Sequence, residues 1–336
     1  MNMEYVSLGR TGVQVSRLCL GCMMFGWRTS EEESFVIIDR AIDGGINFLD
    51  TANIYGRGGS EEVVGKALRR NGKRGNIVLA SKFHHRMDDH DLNSWGNSRR
   101  HIIQQCDASL RRLQTDYIDL YQIHRPQSSV PMDETLRALD DLIRAGKVRY
   151  AGSSTFAAWQ VMESFWISKE LGLNRLVSEQ PPYNMLDRRI ERELIPMAQT
   201  YGLALLPWSP LAAGFLTGKY EEHQPRPTDA RLQEENSWYN RHFKQRAFQV
   251  VEEVKTLAGK KGCTPAQLAL AWCLHRPGIT SPIIGPRTLD QLEDNLKALQ
   301  VVLQEEDAKE VDRFAPPGGV TIEYYEADFG PHQYRW

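Results

Sequence analysis

The run Asn47-Phe48-Leu49-Asp50 is a short apolar pattern that ends in a charged residue, and a helical pattern follows it over residues 61–70. The next apolar run, Val78-Leu79-Ala80-Ser81-Lys82, ends in the same way and precedes a helical pattern over residues 99–113. Strand patterns that alternate with helical patterns predict βα units, because a helix returns the chain to the same edge before each parallel strand. This repeat indicates the fold class.

The same alternation continues through the rest of the chain, after a small N-terminal β-hairpin predicted at residues 5–8 and 14–16. Eight strand and helix pairs in strict order predict an α/β fold, a single (β/α)8 TIM barrel that forms one domain over residues 1–336; a doubly wound sheet is the alternative. The strands are predicted at residues 18–21, 47–50, 77–82, 118–124, 148–153, 176–179, 203–207 and 282–284. The helices are predicted at residues 31–43, 61–70, 99–113, 131–146, 158–171, 189–201, 244–261, 265–275, 289–299 and 305–314.

The composition narrows the class of partner. Of the 336 residues 41% are apolar and 25% charged, and the net charge is -2, so neither nucleic acid nor an anionic membrane surface is indicated. The sequence has no apolar run of the ~18 residues that span a bilayer and no apolar signal segment near its start. Five cysteines, an odd number, suit a reducing compartment. We expect a cytoplasmic protein with a small-molecule partner; a homo-oligomer is left open.

Polar residues at the ends of consecutive strands are the first candidates for chemistry, because a (β/α)8 barrel gathers its reactive groups at the carboxyl ends of its strands. Asp50, Lys82 and His124 end three consecutive predicted strands, and Tyr55 lies in the loop after Asp50. Taken singly, each is also compatible with a helix cap, a solvated charge, a rim histidine or a packed aromatic ring. Their combination at neighbouring strand ends predicts one site.

These four residue types suit carbonyl reduction. A tyrosine hydroxyl is a poor acid at neutral pH, since its ordinary pKa is ~10, and a buried lysine beside it stabilises the phenolate. Asp50 would keep Lys82 charged, so that Tyr55 can protonate a carbonyl oxygen as a hydride reaches the carbon. His124 would donate a hydrogen bond to the same oxygen and orient the substrate.

The chain resembles the aldo-keto reductase family over nearly its whole length, in three motifs that occur in order. The first is residues 45–52 with Tyr55, the second is residues 113–120 leading to His124, and the third begins at residues 283–285. The resemblance implies that Asp50, Tyr55, Lys82 and His124 form a catalytic tetrad, with Tyr55 as the proton donor. It is strongest toward bacterial members and toward potassium-channel β subunits, which share Trp208 and a long loop over residues 218–240.

The resemblance also implies NADP(H), bound in an extended form across the barrel mouth without a Rossmann domain; the sequence has no strand–GxGxxG–helix unit. Ser153-Ser154 and Glu179-Gln180 match positions that bind the nicotinamide carboxamide, Thr155 stands where the family often has Asn, and Trp208 matches a ring that stacks on the nicotinamide. The implied cofactor contacts are Gly21, Asp50, Ser153, Ser154, Gln180, Trp208, Ser209, Pro210, Leu211, Ala213, Arg231, Gly285, Arg287, Gln291 and Asn295.

The function expected is NADPH-dependent reduction of an aldehyde, ketone or sugar carbonyl. The alternative is a regulatory subunit that binds NADP(H) and senses redox state, as channel β subunits do. Those subunits carry Asn at the position of His124, so the histidine of this chain favours an enzyme. His84, His85 and His90 cluster after the third strand, but no carboxylates are arranged around them, and we expect no metal.

Large aromatic residues are frequent in the predicted mouth loops, where they either pack the loops or contact a ligand. We predict that Tyr55, His124 and Trp27 contact the substrate. Trp27, in the loop after the first strand, would form an apolar wall that favours bulky or ring-bearing carbonyl compounds. The aromatic residues considered are Phe25, Trp27, Phe83, Trp95, Trp238 and Tyr239.

Overall fold

The computed structural model describes residues 3–228, 230–233 and 240–322. Two short strands, β1 (Tyr5–Ser7) and β2 (Gln14–Ser16), pair antiparallel as the predicted N-terminal hairpin. Eight further strands pair in parallel: β3 (Cys19–Gly21), β4 (Phe48–Asp50), β5 (Val78–Phe83), β6 (Ile118–Ile123), β7 (Val148–Ser154), β8 (Ser178–Gln180), β9 (Ala204–Leu205) and β10 (Ile283–Ile284).

Helices separate these strands, and several begin at residues that can cap them. At the start of the first helix, Ser30 accepts a hydrogen bond from the Glu33 amide. Thr264, which directly precedes Pro265, accepts one from the Gln267 amide in the same way. None of the helices in the described ranges is both long and apolar enough to cross a membrane. They are α1 (Glu31–Asp43), α2 (Gly59–Asn71), α3 (Arg99–Leu113), α4 (Met132–Arg144), α5 (Ala158–Leu171), α6 (Leu194–Tyr201), α7 (Gln245–Lys261), α8 (Pro265–His275), α9 (Leu289–Lys297) and α10 (Glu305–Phe314).

The parallel strands follow one another around a closed barrel. Hydrogen bonds join each strand from β3 to β8 to the next in sequence, and β10 pairs with β3. The segment that leads into β10 also meets the segment at β9, because the Thr280 amide donates to the Leu205 carbonyl over 2.9 Å and the Ile283 amide to the Pro207 carbonyl over 2.8 Å. The strand order has no reversal, which confirms the (β/α)8 barrel and excludes the doubly wound sheet.

The hairpin closes the end of the barrel opposite the strand carboxyl ends. Its buried Leu8 and Val15 pack in one cluster with residues that point into the barrel, among them Phe48, Ala80 and Leu120. A larger apolar cluster lies between the sheet and the surrounding helices. The barrel is therefore filled with side chains at its base, and the ligand-accessible space lies at the other end.

One predicted helix is divided in the structure. The pattern over residues 189–201 predicts a continuous helix, but a 3-10 turn at Arg189–Glu191 is followed by a separate helix, α6, which begins at Leu194. Pro196 has no amide hydrogen and its ring clashes with the preceding turn, so it is tolerated only in the first turn of a helix. The helix therefore starts just before the proline.

Candidate active site

The four residues predicted to act together meet at the open end of the barrel. Asp50 is the last residue of β4, Lys82 lies near the end of β5, and His124 directly follows β6. Tyr55 begins a 3-10 turn that folds back from β4. Since side chains alternate between the two faces of a strand, Lys82 points to the same side as Ala80, which is packed inside the barrel.

Lys82 is the centre of this group. Its ammonium donates to Oδ1 of Asp50 over 2.5 Å and to the carbonyl of Thr51 over 2.9 Å, and it lies 3.4 Å from the hydroxyl of Tyr55. Lys82 has no solvent exposure and Asp50 is 3% exposed. The ammonium is thus a buried charge that is paired and within hydrogen-bond reach of the phenol.

The second carboxylate oxygen of Asp50 is held by two amide side chains. Nε2 of Gln122 donates to Oδ2 over 3.0 Å, and Nε2 of Gln180 donates to the same atom over 2.9 Å. The sequence reasoning did not single out Gln122. It lies two residues after Leu120, which points into the barrel, and two before His124, so the period of two along β6 could have identified it.

The charge states follow from burial and neighbours. Burial lowers the pKa of Lys82, but the carboxylate of Asp50 and the hydroxyl of Tyr55 outweigh it and raise the pKa above its ordinary value. Burial, reinforced by the charge of Arg125, lowers the pKa of His124 well below its ordinary value. The site therefore combines a charged lysine with a neutral imidazole at physiological pH.

His124 stands between two other rings. Its ring centroid is 5.7 Å from that of Tyr55 and 4.7 Å from that of His85, and both contacts are edge to face. Its Nδ1 atom is buried and, within the described residues, has no hydrogen-bond partner. No neighbour thus holds a proton on Nδ1, which favours the tautomer that carries it on Nε2.

A cavity of about 700 Å³ extends from this group along the barrel mouth. It brings together Asp50, Tyr55 and His124 with most of the residues predicted to contact a cofactor. Those are Gly21, Ser154, Gln180, Trp208, Ser209, Pro210, Leu211, Ala213, Arg231, Gly285, Arg287, Gln291 and Asn295. His85, a member of the predicted histidine cluster, also lines the cavity. Lining residues that the sequence reasoning did not single out include Met23, Met24, Ile54, Arg125, Lys219, Asp290 and Asp294.

Two predicted contacts do not line the cavity. Ser153 is fully buried, and its hydroxyl donates to Oε2 of Glu179 over 2.5 Å. Ser153 and Ser154 are adjacent in β7, so their side chains point to opposite faces, and only that of Ser154 reaches the cavity. The structure thus places Ser153 behind the cavity lining. Trp27 is 63% exposed and lies beside Gly56 at the edge of the site, outside the lining.

The end of the cavity near Asp50 fits a flat ring with a carboxamide. Gly21 forms part of its wall, and a Cβ at this position would lie 2.7 Å from Cγ2 of Ile283, so the close packing leaves no room for a side chain. Trp208 supplies an indole ring, while Ser154 and Gln180 supply a hydroxyl and an amide. These are the groups that a nicotinamide would need for stacking and hydrogen bonding.

The other end fits phosphates. Ser209 and Ala213 line the cavity with φ angles of 54° and 56°, a left-handed conformation that few residues other than glycine adopt. Turns of this kind aim backbone amides at one point and bind anions. Lys219, Arg231 and Arg287 line the same cavity and provide the charge-assisted donors that phosphate oxygens prefer. The residues present thus fit a nicotinamide dinucleotide.

A smaller depression adjoins the catalytic end. It has a volume of about 270 Å³ and shares His85 with the main cavity; its other lining residues are His84, Arg86 and Trp95. His84 and His85 lie edge to face, with centroids 5.4 Å apart, and burial lowers the pKa of His85 to about 3 and that of His84 to about 4. Both rings are therefore neutral at physiological pH and form a wall of uncharged imidazoles.

The other aromatic residues considered for the mouth loops are found partly in the core and partly at the surface. Phe25 and Phe83 are fully buried core residues, whereas Trp95 is half exposed. Trp238 and Tyr239 lie outside the described residues. In the described part of the chain, no group of three or more His, Cys, Asp or Glu side chains is arranged to hold a metal ion.

Comparison with known proteins agrees with this fold. The model of the aldo/keto reductase family matches residues 17–316. The chain is 40% identical over 334 residues to an uncharacterized oxidoreductase of Bacillus subtilis (strain 168), which covers 96% of this chain and 99% of that protein. It is 37% identical over 330 residues to versiconal hemiacetal acetate reductase of Aspergillus parasiticus, with 91% and 95% of the two chains covered.

A third relative is the probable voltage-gated potassium channel subunit beta of Oryza sativa subsp. japonica, 37% identical over 305 residues, or 89% of this chain and 92% of that protein. The fold and site define an oxidoreductase built on a parallel barrel. The chain belongs to the aldo/keto reductase family.

Proposed function

We propose that this protein reduces an aldehyde, ketone or sugar carbonyl to the alcohol, with NADPH as the hydride source and Tyr55 as the proton donor. The observation that supports this most is the position of the Tyr55 hydroxyl, 3.4 Å from the ammonium of Lys82, at the lining of a cavity of about 700 Å³. A hydroxyl next to a buried, charged lysine is suited to give up a proton.

Trp208, Ser154 and Gln180 would hold a nicotinamide, which would supply the hydride that the carbonyl carbon receives. Tyr55 gives its hydroxyl proton to the carbonyl oxygen, which completes the alcohol. The ammonium of Lys82 stabilises the phenolate left behind, and Asp50 keeps this ammonium charged inside the barrel through the 2.5 Å contact. The phenolate regains its proton from solvent before the next turnover.

His124 acts as a neutral donor in this scheme. Burial and the charge of Arg125 hold its pKa well below neutrality, so it does not compete with Tyr55 as an acid. An Nε2 proton aimed at the carbonyl oxygen polarises the bond and fixes the substrate next to Tyr55. His124 therefore positions the carbonyl group next to the proton donor.

The substrates that this site suits best carry a ring or another bulky apolar group. Ile54, Met24 and the neutral imidazole of His85 line the cavity near Tyr55, and the depression beyond His85 is bounded by Trp95. Such surfaces favour flat, weakly polar groups. Trp27, exposed beside Gly56, would add a wall for the part of the substrate that projects from the mouth.

The proposed setting is the cytoplasm, with small-molecule carbonyl compounds as partners. The odd number of cysteines suits a reducing compartment, and all five of them are free thiols.

The test is loss of NADPH absorbance with a panel that contains an aromatic aldehyde, a short aliphatic aldehyde, a ketone and a sugar. Tyr55→Phe should abolish nearly all turnover and leave NADPH affinity close to that of wild type. Tyr121→Phe is the matched control, since it removes a buried hydroxyl that has no hydrogen-bond partner within the described residues. Near-normal turnover by Tyr55→Phe would contradict the proposal.

A regulatory subunit that binds NADP(H) is the second candidate, favoured by the similarity to the rice protein named as a probable channel subunit beta. The same experiment separates the two. Tight NADPH binding without turnover of any carbonyl compound in the panel would favour the regulatory function, whereas turnover that depends on Tyr55 favours the enzyme.

A further inference from the structure

Glu179 is a buried acid that the proposed reaction does not use. It lies in β8 next to Gln180 and has no solvent exposure. Gln180 reaches Asp50 inside the barrel, so the side chain of Glu179, on the other face of the strand, points away from the cavity. A carboxyl group in this position requires hydrogen-bond partners, because burying an unpaired polar group is strongly unfavourable.

Its partners lie at the end of β7 and in the turn that follows it. Oε1 of Glu179 accepts a hydrogen bond from the Phe156 amide over 2.9 Å, and Oε2 lies 2.5 Å from the hydroxyl of Ser153. Burial raises the pKa of Glu179 to about 8, so the group is largely a neutral acid at pH 7. In either protonation state the carboxyl group joins the two ends of residues 153–156.

The backbone inside this turn is strained. Thr155 has a φ of 64°, a left-handed conformation that a β-branched residue adopts only when its surroundings enforce it. The Thr155 amide and the Ser154 hydroxyl both donate to the carbonyl of Gln180, over 3.1 Å and 2.9 Å. The contacts of Glu179 with Ser153 and Phe156, before and after Thr155, therefore stabilise a backbone conformation that is unfavourable by itself.

This conformation reaches both functional parts of the cavity. Ser154 lines the cavity at the end that fits a nicotinamide. The hydroxyl of Thr155 accepts a hydrogen bond from Arg125 over 2.8 Å, and the same nitrogen of Arg125 donates to the carbonyl of His124 over 2.8 Å. One turn thus links a candidate cofactor contact to the residue that is to orient the substrate.

We propose that Glu179 is a positioning residue that clamps residues 153–156, and through them holds Ser154 toward the nicotinamide carboxamide and Arg125 against the backbone of His124. This role rests on the proposed function, since it assumes that a nicotinamide occupies the cavity. Glu179 itself contacts neither cofactor nor substrate.

The test compares Glu179→Ala with Glu179→Gln, by fluorescence titration of NADPH and by thermal unfolding. Glutamine keeps the acceptor for the Phe156 amide, and the Ser153 hydroxyl, which donates to Oε2 of Glu179, can instead accept from the glutamine amide. We expect Glu179→Ala to weaken NADPH binding about tenfold or more, the loss of one to two hydrogen bonds, and Glu179→Gln to restore affinity close to that of wild type.

A matched control is Glu61→Ala. Glu61 is also fully buried and bonded to a serine hydroxyl, that of Ser81, and it pairs with Arg112 over 2.7 Å, but it does not line the cavity. The variant Glu61→Ala should have a lower free energy of unfolding than wild type and bind NADPH with unchanged affinity. Equal losses of affinity in Glu61→Ala and Glu179→Ala, or no loss in Glu179→Ala, would overturn the clamp.

Two further measurements keep the outcome decisive. If Glu179→Ala does not fold, Ser153→Ala removes one of the two contacts, keeps the hydrogen bond from the Phe156 amide, and should weaken NADPH binding in the same direction. In the cofactor-free chain, hydrogen exchange at the Thr155 and Phe156 amides should be faster in Glu179→Ala than in wild type. Unchanged exchange would refute the clamp, whereas failure of the wild type to bind NADPH would refute only the proposed function.

Discussion

The ammonium of Lys82 lies 2.5 Å from Oδ1 of Asp50, and the pair is buried at the base of the candidate active site. A buried ion pair is far more sensitive to the loss of one partner than to the loss of both, because the remaining charge cannot reach water. The pair therefore has consequences for stability as well as for catalysis.

We predict that Lys82→Met lowers the free energy of unfolding by about 3–5 kcal/mol, the range for an orphaned buried charge, and reduces kcat by orders of magnitude. The double variant Asp50→Asn with Lys82→Met should regain much of the stability and none of the activity. Denaturant unfolding and NADPH turnover measure the two effects. Lys66→Met, which removes an exposed partner of Glu31, is the control and should change little. A loss of the same size in both single variants would contradict this account.

The second prediction concerns the choice of cofactor. Arg287 lines the cavity with Lys219 and Arg231, and its planar guanidinium suits a 2′-phosphate. Arg287→Ala should weaken NADPH binding by about 1–3 kcal/mol, the range for a lost charge-assisted hydrogen bond, and leave NADH binding nearly unchanged. Lys297→Ala removes an exposed charge from α9, the helix that begins two residues after Arg287, and is the control. If fluorescence titration shows equal losses for NADPH and NADH, Arg287 does not recognise the phosphate.

The third prediction concerns the substrate wall. Trp27 is outside the cavity lining and next to Gly56, so it can contact only the part of a substrate that projects from the mouth. Trp27→Ala should raise KM for a bulky aromatic aldehyde and leave KM for propanal unchanged, with NADPH affinity preserved. Trp166→Ala, at a similarly exposed tryptophan on α5, should change neither value. Parallel changes for the two aldehydes would mean that Trp27 only packs its loop.

The fourth prediction follows from the buried acid. Burial raises the pKa of Glu179 from 4.5 to about 8, while hydrogen bonds from Ser153 and Phe156 and the charge of Arg125 oppose the rise. An acid with a raised pKa in the folded state favours folding at low pH, and this contribution is lost as the pH rises from about 4.5 to about 8.

Glu179→Gln removes the titration, so its stability relative to wild type should increase with pH across that window, by roughly a few kcal/mol in total. Denaturant unfolding of both proteins at pH 5, 7 and 9 measures the difference. A difference that does not change with pH would show that Glu179 is not a neutral acid in the folded state.

The period and order of the apolar runs determined most of the fold. Alternating strand and helix patterns allow only parallel βα units, and parallel strands bring their carboxyl ends to one edge. For this reason Asp50, Lys82 and His124 could be grouped from the sequence, although more than 70 positions separate the first from the last. The prediction of one helix over residues 189–201 was wrong, although Pro196 carries the local steric signal that places the start of α6 at Leu194.

What only the tertiary structure decided is which side chains share a hydrogen bond across the barrel. Gln180 and Asp50 are 130 positions apart, and their contact depends on the register between strands that do not pair with each other. The same register turns Ser154 toward the cavity and Ser153 toward Glu179, because adjacent residues of a strand face opposite sides. The sequence pattern predicts how side chains alternate along one strand. Which side chains of two unpaired strands come into contact depends on the closed barrel.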